Sequence, residues 1–224
     1  MSLYRVGWWL CRGLFRLYFR WRVEGLESFP PHGPVIVACN HSSYLDIPVL
    51  GAAVPRTVHF MAKEELFHQP VLRWLVPALH GFPVRRGTPD RRALRHALEL
   101  LARGEVVGMF PEGTRSRTGQ LLPAQGGVAL LALHSGAPVV PATILGMDRV
   151  FPGGRERQLP RPAPLRVVLG PPLRFPPCAR PRQQERDAVA GAIMEAIAVL
   201  RANRPAGRVD SVTPVGRISA GQPE

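Results

Sequence analysis

The composition describes a globular chain with a basic surface. Its 224 residues can form one substantial core, 46% of them are apolar, and the formal net charge is +13, which excludes a chain too polar or too short to fold. Such a surface attracts anions, so the partner classes to consider are nucleic acid, anionic lipid, phosphorylated substrates and an acidic carrier.

The first predicted element is an amphipathic helix within residues 1–21. At 100° per residue Arg5, Arg12, Arg16 and Arg20 fall on one stripe, while most of the remaining surface is aromatic or aliphatic. The longest uncharged piece is far shorter than the ~20 residues that cross a bilayer. The pattern therefore predicts a helix that lies in the membrane interface. The alternative is a helix whose wide apolar face packs on the domain.

Residues 22–203 are predicted to form one domain in which strands and helices alternate. This alternation indicates an α/β fold, a mixed and mainly parallel sheet flanked by helices, with sites at the carboxyl ends of the strands. Residues 204–224 lack apolar periodicity and are predicted to be a disordered tail. The predicted strands are 22–25, 35–39, 57–62, 81–87, 106–110, 139–145 and 165–169, and the predicted helices are 47–53, 63–67, 71–79, 90–102, 128–134 and 183–200.

The strand at 35–39 delivers a histidine, two hydroxyls and a carboxylate, in the order Asn40-His41-Ser42-Ser43-Tyr44-Leu45-Asp46. Imidazole accepts protons near neutral pH, and a carboxylate on its other nitrogen fixes the tautomer. If Asp46 lies in the first turn of the next helix, it can turn back to the His41 ring and complete a general base. The structural alternative is a capping box with Ser43 as N-cap and Asp46 at N3, a register that Pro48 fits poorly.

Two further predicted strand ends carry polar residues. One ends on Arg85 and Arg86, and the other continues into Pro111-Glu112-Gly113-Thr114-Arg115-Ser116-Arg117. Guanidinium forks suit phosphate, and Gly113 removes bulk where a ligand can approach the backbone. With His41 these ends could hold the hydroxyl of a phosphorylated substrate against an electrophile. Each piece also has an ordinary interpretation, with solvated arginines and Glu112 paired to Arg115.

Four segments resemble, in order and spacing, the four blocks of the glycerolipid acyltransferases of the 1-acylglycerol-3-phosphate acyltransferase type. The resemblance covers about residues 22–175. It implies an acyltransferase-type sandwich that transfers a fatty acyl group from acyl-CoA or acyl-acyl carrier protein to the free hydroxyl of lysophosphatidate, in phospholipid synthesis. The segments are Asn40-His41-x4-Asp46, Pro83-Val84-Arg85-Arg86-Gly87, Phe110-Pro111-Glu112-Gly113-Thr114-Arg115-Ser116 and Val140-Pro141-Ala142-Thr143-Ile144-Leu145-Gly146.

The resemblance also implies a role for each matched residue. His41 is expected to be the general base and Asp46 to orient it, with direct attack on the thioester and no acyl-enzyme. No metal and no cofactor besides the acyl donor is expected. The residues expected to bind substrate are Arg86 or Arg85, Glu112, Gly113, Thr114 and Arg115 for the phosphate and glycerol, and Pro141 for the donor side or for packing.

Some choices stay open at this stage. Family members commonly carry a glycine where Arg73 follows Lys63-Glu64-Glu65-Leu66, which leaves the acceptor pocket or acyl channel undefined. Glycerol 3-phosphate, other lysophospholipids and a lyso-amino-lipid remain alternative acceptors. The expected location is the cytoplasmic face of the cell membrane, peripheral or monotopic, with the lipid surface, lysophosphatidate and the acyl donor as partners and no nucleic acid.

A basic membrane- or nucleic-acid-binding protein without catalysis is the alternative from another class. It fits the charge, but no helix-turn-helix, zinc or RNA-binding signature is evident, and a serine hydrolase would need a G-x-S-x-G elbow. The three scattered cysteines predict reduced thiols. Cys39, beside the expected base, is either a reactive nucleophile or, as is commoner, a buried strand residue.

Overall fold

The computed structural model describes residues 3–85, 90–116, 118–152 and 158–203. The strands are β1 (Arg22–Glu24), β2 (Val35–Cys39), β3 (Val58–Lys63), β4 (Gly81–Val84), β5 (Val106–Met109), β6 (Val139–Leu145) and β7 (Arg166–Leu169). The helices are α1 (Leu3–Tyr18), α2 (Asp46–Ala53), α3 (Leu72–Ala78), α4 (Arg91–Ala102), α5 (Gly127–Ser135), α6 (Met147–Val150) and α7 (Gln183–Ala202), with 3-10 turns at Leu26–Ser28 and Glu64–His68.

These elements confirm the predicted fold class. The short helix α6 was not predicted, because four residues are too few to establish an apolar period. The predicted tail at 204–224 lies outside the described residues.

The seven strands form one sheet in the order β1-β7-β6-β2-β5-β3-β4. β2 pairs in parallel with β5 and β6, and β3 pairs in parallel with β4 and β5. β7 is antiparallel to β6 and parallel to β1, so β1 and β7 run against the other five strands. The carboxyl ends of β2, β5 and β6 therefore meet at the centre of one edge, where a site can form.

Helices cover both faces of the sheet, which is why β2 is apolar and buried at all five positions. Val35, Val37 and Cys39 pack in the cluster that includes α1 and α2. Ile36 and Ala38 point the other way, into the cluster formed with α4, α5 and α7. His41 continues the first of these two series, so the strand directs it toward the α1 and α2 layer.

α1 packs on the domain with one face and exposes apolar residues on the other. Phe15, and Phe19 just after the helix, are buried, and the Trp8 Nε1–H donates to the carbonyl of Val54 at 3.2 Å. Arg12 leaves the predicted basic stripe: its Nη1 donates to the Ala52 carbonyl at 2.8 Å, and its guanidinium lies 4.3 Å from the centroid of the Trp8 ring. A hydrogen bond and a cation–π contact thus hold the side chain of Arg12 toward the domain.

The outward face of α1 carries three strongly exposed leucines, Leu10, Leu14 and Leu17, at 67%, 58% and 86% exposure. Arg20, the last member of the predicted stripe, lies beyond the end of α1 at a positive φ of 46°. Within the described part of the chain, every helix is too short or too polar to cross a bilayer.

Candidate active site

His41 and Asp46 form a buried pair just after β2. The Nδ1 of His41 lies 3.0 Å from the Oδ2 of Asp46, and the two residues are 2% and 0% exposed. An ionised carboxylate only accepts hydrogen bonds, so Nδ1 carries the hydrogen and Nε2 keeps its lone pair. This tautomer is the one in which a histidine can accept a proton at Nε2.

Backbone amides hold the same oxygen of Asp46. Its Oδ2 accepts from the N–H of Ser42 at 2.6 Å and from the N–H of Ser43 at 2.7 Å. The carboxylate therefore accepts hydrogen bonds from the loop backbone while it also contacts the imidazole.

The capping box, the structural alternative for this loop, is only half formed, because the N–H of Ser43 donates to the Asp46 carboxylate but the Ser43 hydroxyl does not accept from the N–H of Asp46. α2 begins at Asp46 with Leu45 as its N-cap, and the Ser43 hydroxyl accepts from the Leu45 N–H at 3.1 Å. Pro48 then lies in the first turn of the helix, where its missing N–H has no intrahelical acceptor to satisfy. Pro48 is unfavourable only if Ser43 is the N-cap, and the observed start of α2 at Asp46 removes that conflict.

Glu112 joins the histidine loop (residues 40–46) to the glutamate loop (residues 110–116). Its Oε1 accepts from the backbone N–H of His41 at 2.8 Å, and its Oε2 accepts from the N–H of Leu122 at 3.0 Å. The N–H of Ser116 donates in turn to the carbonyl of His41 at 2.8 Å. Burial, with Glu112 2% exposed, raises the pKa of its carboxyl group above the ordinary value.

Phe110 provides a platform for the His41 ring. The two ring centroids are 4.0 Å apart with an interplanar angle of 17°, and Phe60 lies behind Phe110 at 6.3 Å. The sequence analysis assigned no role to Phe110. Phe110 lies beside His41 because it follows β5, which pairs with β2 in the sheet. The order of elements along the chain does not show that these two strands are neighbours.

Asn40 ties the histidine loop to the other neighbouring strand, β6. Its Oδ1 accepts from the Thr143 hydroxyl at 2.9 Å and from the Ile144 N–H at 3.1 Å. The backbone on each side of His41 is therefore fixed by a strand end. Sequence reasoning did not single out Asn40 or Thr143 as site residues, although both stand inside the quoted blocks.

Cys39 is the buried strand residue of the two alternatives. Its side chain is 0% exposed, and burial together with the nearby Asp46 and Glu112 carboxylates raises the pKa of the thiol well above its usual value. A nucleophilic thiolate is therefore disfavoured at this position.

Comparison with known proteins places this chain in a family. The acyltransferase family model matches residues 20–145, more than half of the chain. The chain belongs to the acyltransferase family. The two loops that meet around His41 both lie inside the matched region.

Several acyltransferases resemble the chain over most of its length. It is 33% identical over 153 residues to the 1-acyl-sn-glycerol-3-phosphate acyltransferase of Bacillus subtilis, covering 68% of this chain and 73% of that protein. It is 38% identical over 138 residues to the lyso-ornithine lipid O-acyltransferase of Pseudomonas aeruginosa, covering 61% of this chain and 52% of that protein. The crystal structure of the 1-acyl-sn-glycerophosphate acyltransferase PlsC from Thermotoga maritima matches with a TM-score of 0.72 at 30% identity, over 89% of this chain and 80% of that one.

Three residues of the glutamate loop remain predictions for substrate binding in this acyltransferase. Gly113 has a φ of +67°, and a Cβ there would lie 2.8 Å from the Gln125 Cγ, so the turn requires glycine. Thr114 is exposed. The Arg115 guanidinium carbon lies 3.6 Å from the centroid of the Tyr44 ring, which connects the two loops at the surface.

Arg85, the first of the two arginines in the second block, lies at the other end of this edge. Arg85 follows β4 and is 68% exposed, with its Nε 2.8 Å from the Oε2 of Glu64. β4 is three strands from β2, about 14 Å at roughly 4.8 Å per strand. Arg86 lies outside the described residues, so the choice between the two arginines stays a prediction.

Pro141 lies inside the sheet, on buried β6, paired in register with Ala38. Its carbonyl accepts from the Gly170 N–H at 2.8 Å, and its Cγ would lie 2.8 Å from a Cβ on Gly170. Pro141 stands two residues before Thr143, which holds Asn40. This placement favours the packing interpretation of Pro141.

Proposed function

We propose that the protein transfers a fatty acyl group from acyl-CoA or acyl-acyl carrier protein to the free hydroxyl of 1-acylglycerol 3-phosphate, giving phosphatidate, with His41 as general base. The observation that carries the proposal is the 3.0 Å bond from His41 Nδ1 to Asp46. The relative from Bacillus subtilis, named for this reaction, supports the choice of acceptor.

The reaction needs no acyl-enzyme. His41 Nε2 takes the proton of the acceptor hydroxyl while the oxygen attacks the thioester carbonyl carbon, and the carbon–sulfur bond then breaks as the proton passes to the leaving thiolate. Asp46 stabilises the imidazolium that exists between these steps.

The acceptor phosphate is assigned to the arginines of the site edge. Arg115 stands at the mouth of the two loops, and its planar fork suits phosphate. Arg85 or Arg86 supplies a second cation. The positive charge of the chain also attracts an anionic lipid acceptor.

A lyso-ornithine lipid is the second candidate acceptor, because the relative named for it is 38% identical. An ornithine head group carries a cationic amine, which calls for an acidic partner. The two carboxylates of the motif loops, Asp46 and Glu112, are buried and accept backbone N–H groups. This arrangement favours the phosphate acceptor over the amine.

Both lipid substrates partition into a bilayer, so we place the protein on the cytoplasmic face of the cell membrane with α1 in the interface. The exposed leucines of α1 and the arginines beside them suit that position. No nucleic acid is expected as a partner.

The test is an acceptor-dependent assay on the purified full chain. Lysophosphatidate, lyso-ornithine lipid and glycerol 3-phosphate are offered separately with acyl-CoA or acyl-acyl carrier protein, and thiol release and lipid product are measured. We expect phosphatidate as the main product. Absence of acceptor-dependent thiol release with every donor would defeat the enzyme proposal, and a dominant lyso-ornithine product would change the acceptor.

His41→Ala tests the mechanism in the same assay. Loss of the base should lower kcat by about 10²- to 10⁴-fold, while circular dichroism stays that of the native protein. The matched control is His32→Ala, at an exposed position in the loop before β2, which should keep wild-type turnover. Turnover near the wild-type value in His41→Ala would exclude His41 as the base.

A further inference from the structure

Among the residues that the structure describes, the exposed apolar side chains are concentrated on two helices. In the described part of the chain fourteen large apolar side chains are exposed, and ten of them lie on α1 or within residues 71–79 around α3. The second group comprises Val71 and Trp74, both 72% exposed, Leu75 at 44% and Leu79 at 39%. A surface helix of a soluble domain normally turns its polar face outward, so α3 needs a partner.

The spacing of the second group is helical. Positions 71, 74, 75 and 79 share one face of a helix, while Leu72 and Val76 are partly buried beneath them. α3 thus resembles α1, which also packs with one apolar side and exposes another.

α3 and α1 are neighbours in space. The Cδ2 of Leu79 lies 3.8 Å from the position that a Cβ on Gly7 would take. The ring of Tyr4 lies 5.0 Å from that of His80, the residue after Leu79. The exposed apolar side chains of α1 and of residues 71–79 therefore lie on adjacent elements, and we call them the apolar face.

The charged residues on the two elements that carry the apolar face have one sign. Neither α1 nor residues 69–79 contain Asp or Glu. Arg5, Arg16 and Arg73 are exposed, and the guanidinium of Arg73 lies 5.3 Å from the centroid of the exposed Trp74 ring. Tryptophan beside arginine at the border of aliphatic side chains is the composition of a protein surface that lies in a lipid interface.

We propose that α3 is a second membrane-contact element, and that α1 and α3 together dock the protein on an anionic bilayer. This inference rests on the proposed function only for the membrane attachment of α1, and it adds a second contact. A second contact element beside α1 enlarges the apolar surface that the bilayer can bury and so strengthens the attachment. The bilayer occupant is favoured over a protein partner because α1 and residues 69–79 combine exposed apolar residues with arginines and contain no Asp or Glu.

The experiment measures vesicle binding of the full chain. Sedimentation with phosphatidylcholine vesicles, with and without phosphatidylglycerol, is compared for the wild type, Val71→Ser/Trp74→Ser and the control Leu26→Ser/Val199→Ser, which alters exposed apolar residues away from the apolar face. We expect the first double variant to lower the partition coefficient about tenfold or more and the control to stay within about twofold. Trp74→Phe should retain most of the binding and lose part of the fluorescence quenching by brominated lipid.

Three outcomes would overturn the inference. The first is wild-type partitioning of Val71→Ser/Trp74→Ser. The second is a dimer, seen by light scattering without vesicles, that the same variant dissociates, because the face would then belong to a second copy. The third is equal quenching in the wild type and Trp74→Phe.

Acyl transfer in vesicle-free solution separates this inference from the proposed function. With short-chain soluble lysophosphatidate and acyl-CoA, Val71→Ser/Trp74→Ser should keep wild-type turnover. Loss of transfer in that variant alone would show that residues 71–79 serve the reaction directly and would count against a purely membrane-docking role. If the wild type transfers nothing, the proposed function fails, and the vesicle measurements alone decide the role of α3.

Discussion

His41 and Arg85 both follow strands at the same edge of the sheet, but they are held by different means. The backbone of His41 is fixed by Glu112 and Ser116, and its ring is fixed by Asp46 and Phe110. Arg85 is 68% exposed and held by an ion pair to Glu64, an interaction worth about 0–1 kcal/mol at a surface. The residues proposed for proton transfer are thus buried and held by several contacts, whereas the arginine predicted to attract the acceptor phosphate is exposed and held by one.

Among the predicted variants, Asp46→Asn, in the buried contacts around His41, should lower kcat the most. An amide can turn its NH2 to Nδ1 of His41, which moves the ring hydrogen to Nε2 and removes the base. We expect kcat to fall about 10³-fold or more at saturating acceptor, measured by thiol release. Asp148→Asn, at an exposed position on α6, is the control, and a kcat within tenfold of wild type in Asp46→Asn would contradict the assigned tautomer.

Glu112→Ala should come next in size. It leaves the N–H groups of His41 and Leu122 without their acceptor, at about 1–3 kcal/mol for each buried group, so urea denaturation should register the loss of stability. If Glu112 acts by positioning His41, kcat should fall about 10- to 100-fold, which is the rate equivalent of about 1–3 kcal/mol. The acceptor KM should then change little. If Glu112 contacts the substrate, as the family resemblance implies, the acceptor KM rises instead. Glu112→Gln keeps one acceptor oxygen and should show a smaller loss of kcat.

Tyr44→Leu, at the surface contact between the histidine loop and the glutamate loop, should have a moderate effect on acceptor binding. The Tyr44 ring lies 3.6 Å from the Arg115 guanidinium carbon, and an exposed cation–π contact is worth about 0.5–1 kcal/mol. We expect the KM for lysophosphatidate to rise roughly two- to fivefold with kcat unchanged. Tyr44→Phe keeps the ring face and should resemble the wild type; an equal rise in both variants would assign the effect to the hydroxyl.

Arg85→Gln should change catalysis least. Removing an exposed ion pair shifts stability by less than about 1 kcal/mol, and the KM for lysophosphatidate should stay within about twofold if Arg86 is the phosphate ligand. A rise of tenfold or more would instead assign the phosphate to Arg85. Kinetics of the single variants at positions 85 and 86 would thus resolve the choice that the sequence left open.

The pH dependence of stability should also differ between the buried loops and the exposed surface, because the pKa values of Glu112 and Asp90 are shifted in opposite directions. Burial raises the pKa of Glu112, so its folded state holds more protons and its contribution to stability is lost as pH rises from 4.5 through the folded pKa. Backbone N–H groups lower the pKa of Asp90, whose contribution is present above 3.8 and lost as pH falls through the folded pKa. Urea denaturation from pH 3 to 7 should show opposite slopes for Glu112→Gln and Asp90→Asn relative to wild type.

The sequence predicted the strand ends because buried parallel strands are continuous apolar runs, and the loops after β2 and β5 meet as those runs imply. It could not give the partners of Glu112. Leu122 belongs to no motif, and His41 becomes a neighbour only because β5 pairs with β2. The helix α2 begins within one residue of its predicted start, but the sequence could not decide between the two roles considered for Asp46, because its carboxylate bonds both the His41 ring and the backbone before the helix.

The stacking of Phe110 on His41 should also be visible in the proton NMR spectrum of the His41 ring. At a centroid distance of 4.0 Å and an angle of 17°, the circulating electrons of the phenyl ring shield the imidazole hydrogens. The His41 ring resonances should therefore appear upfield of those of the exposed histidines. Any rearrangement that separates the β2 and β5 loops would move them back, so the assembly of the site can be followed in solution without a substrate.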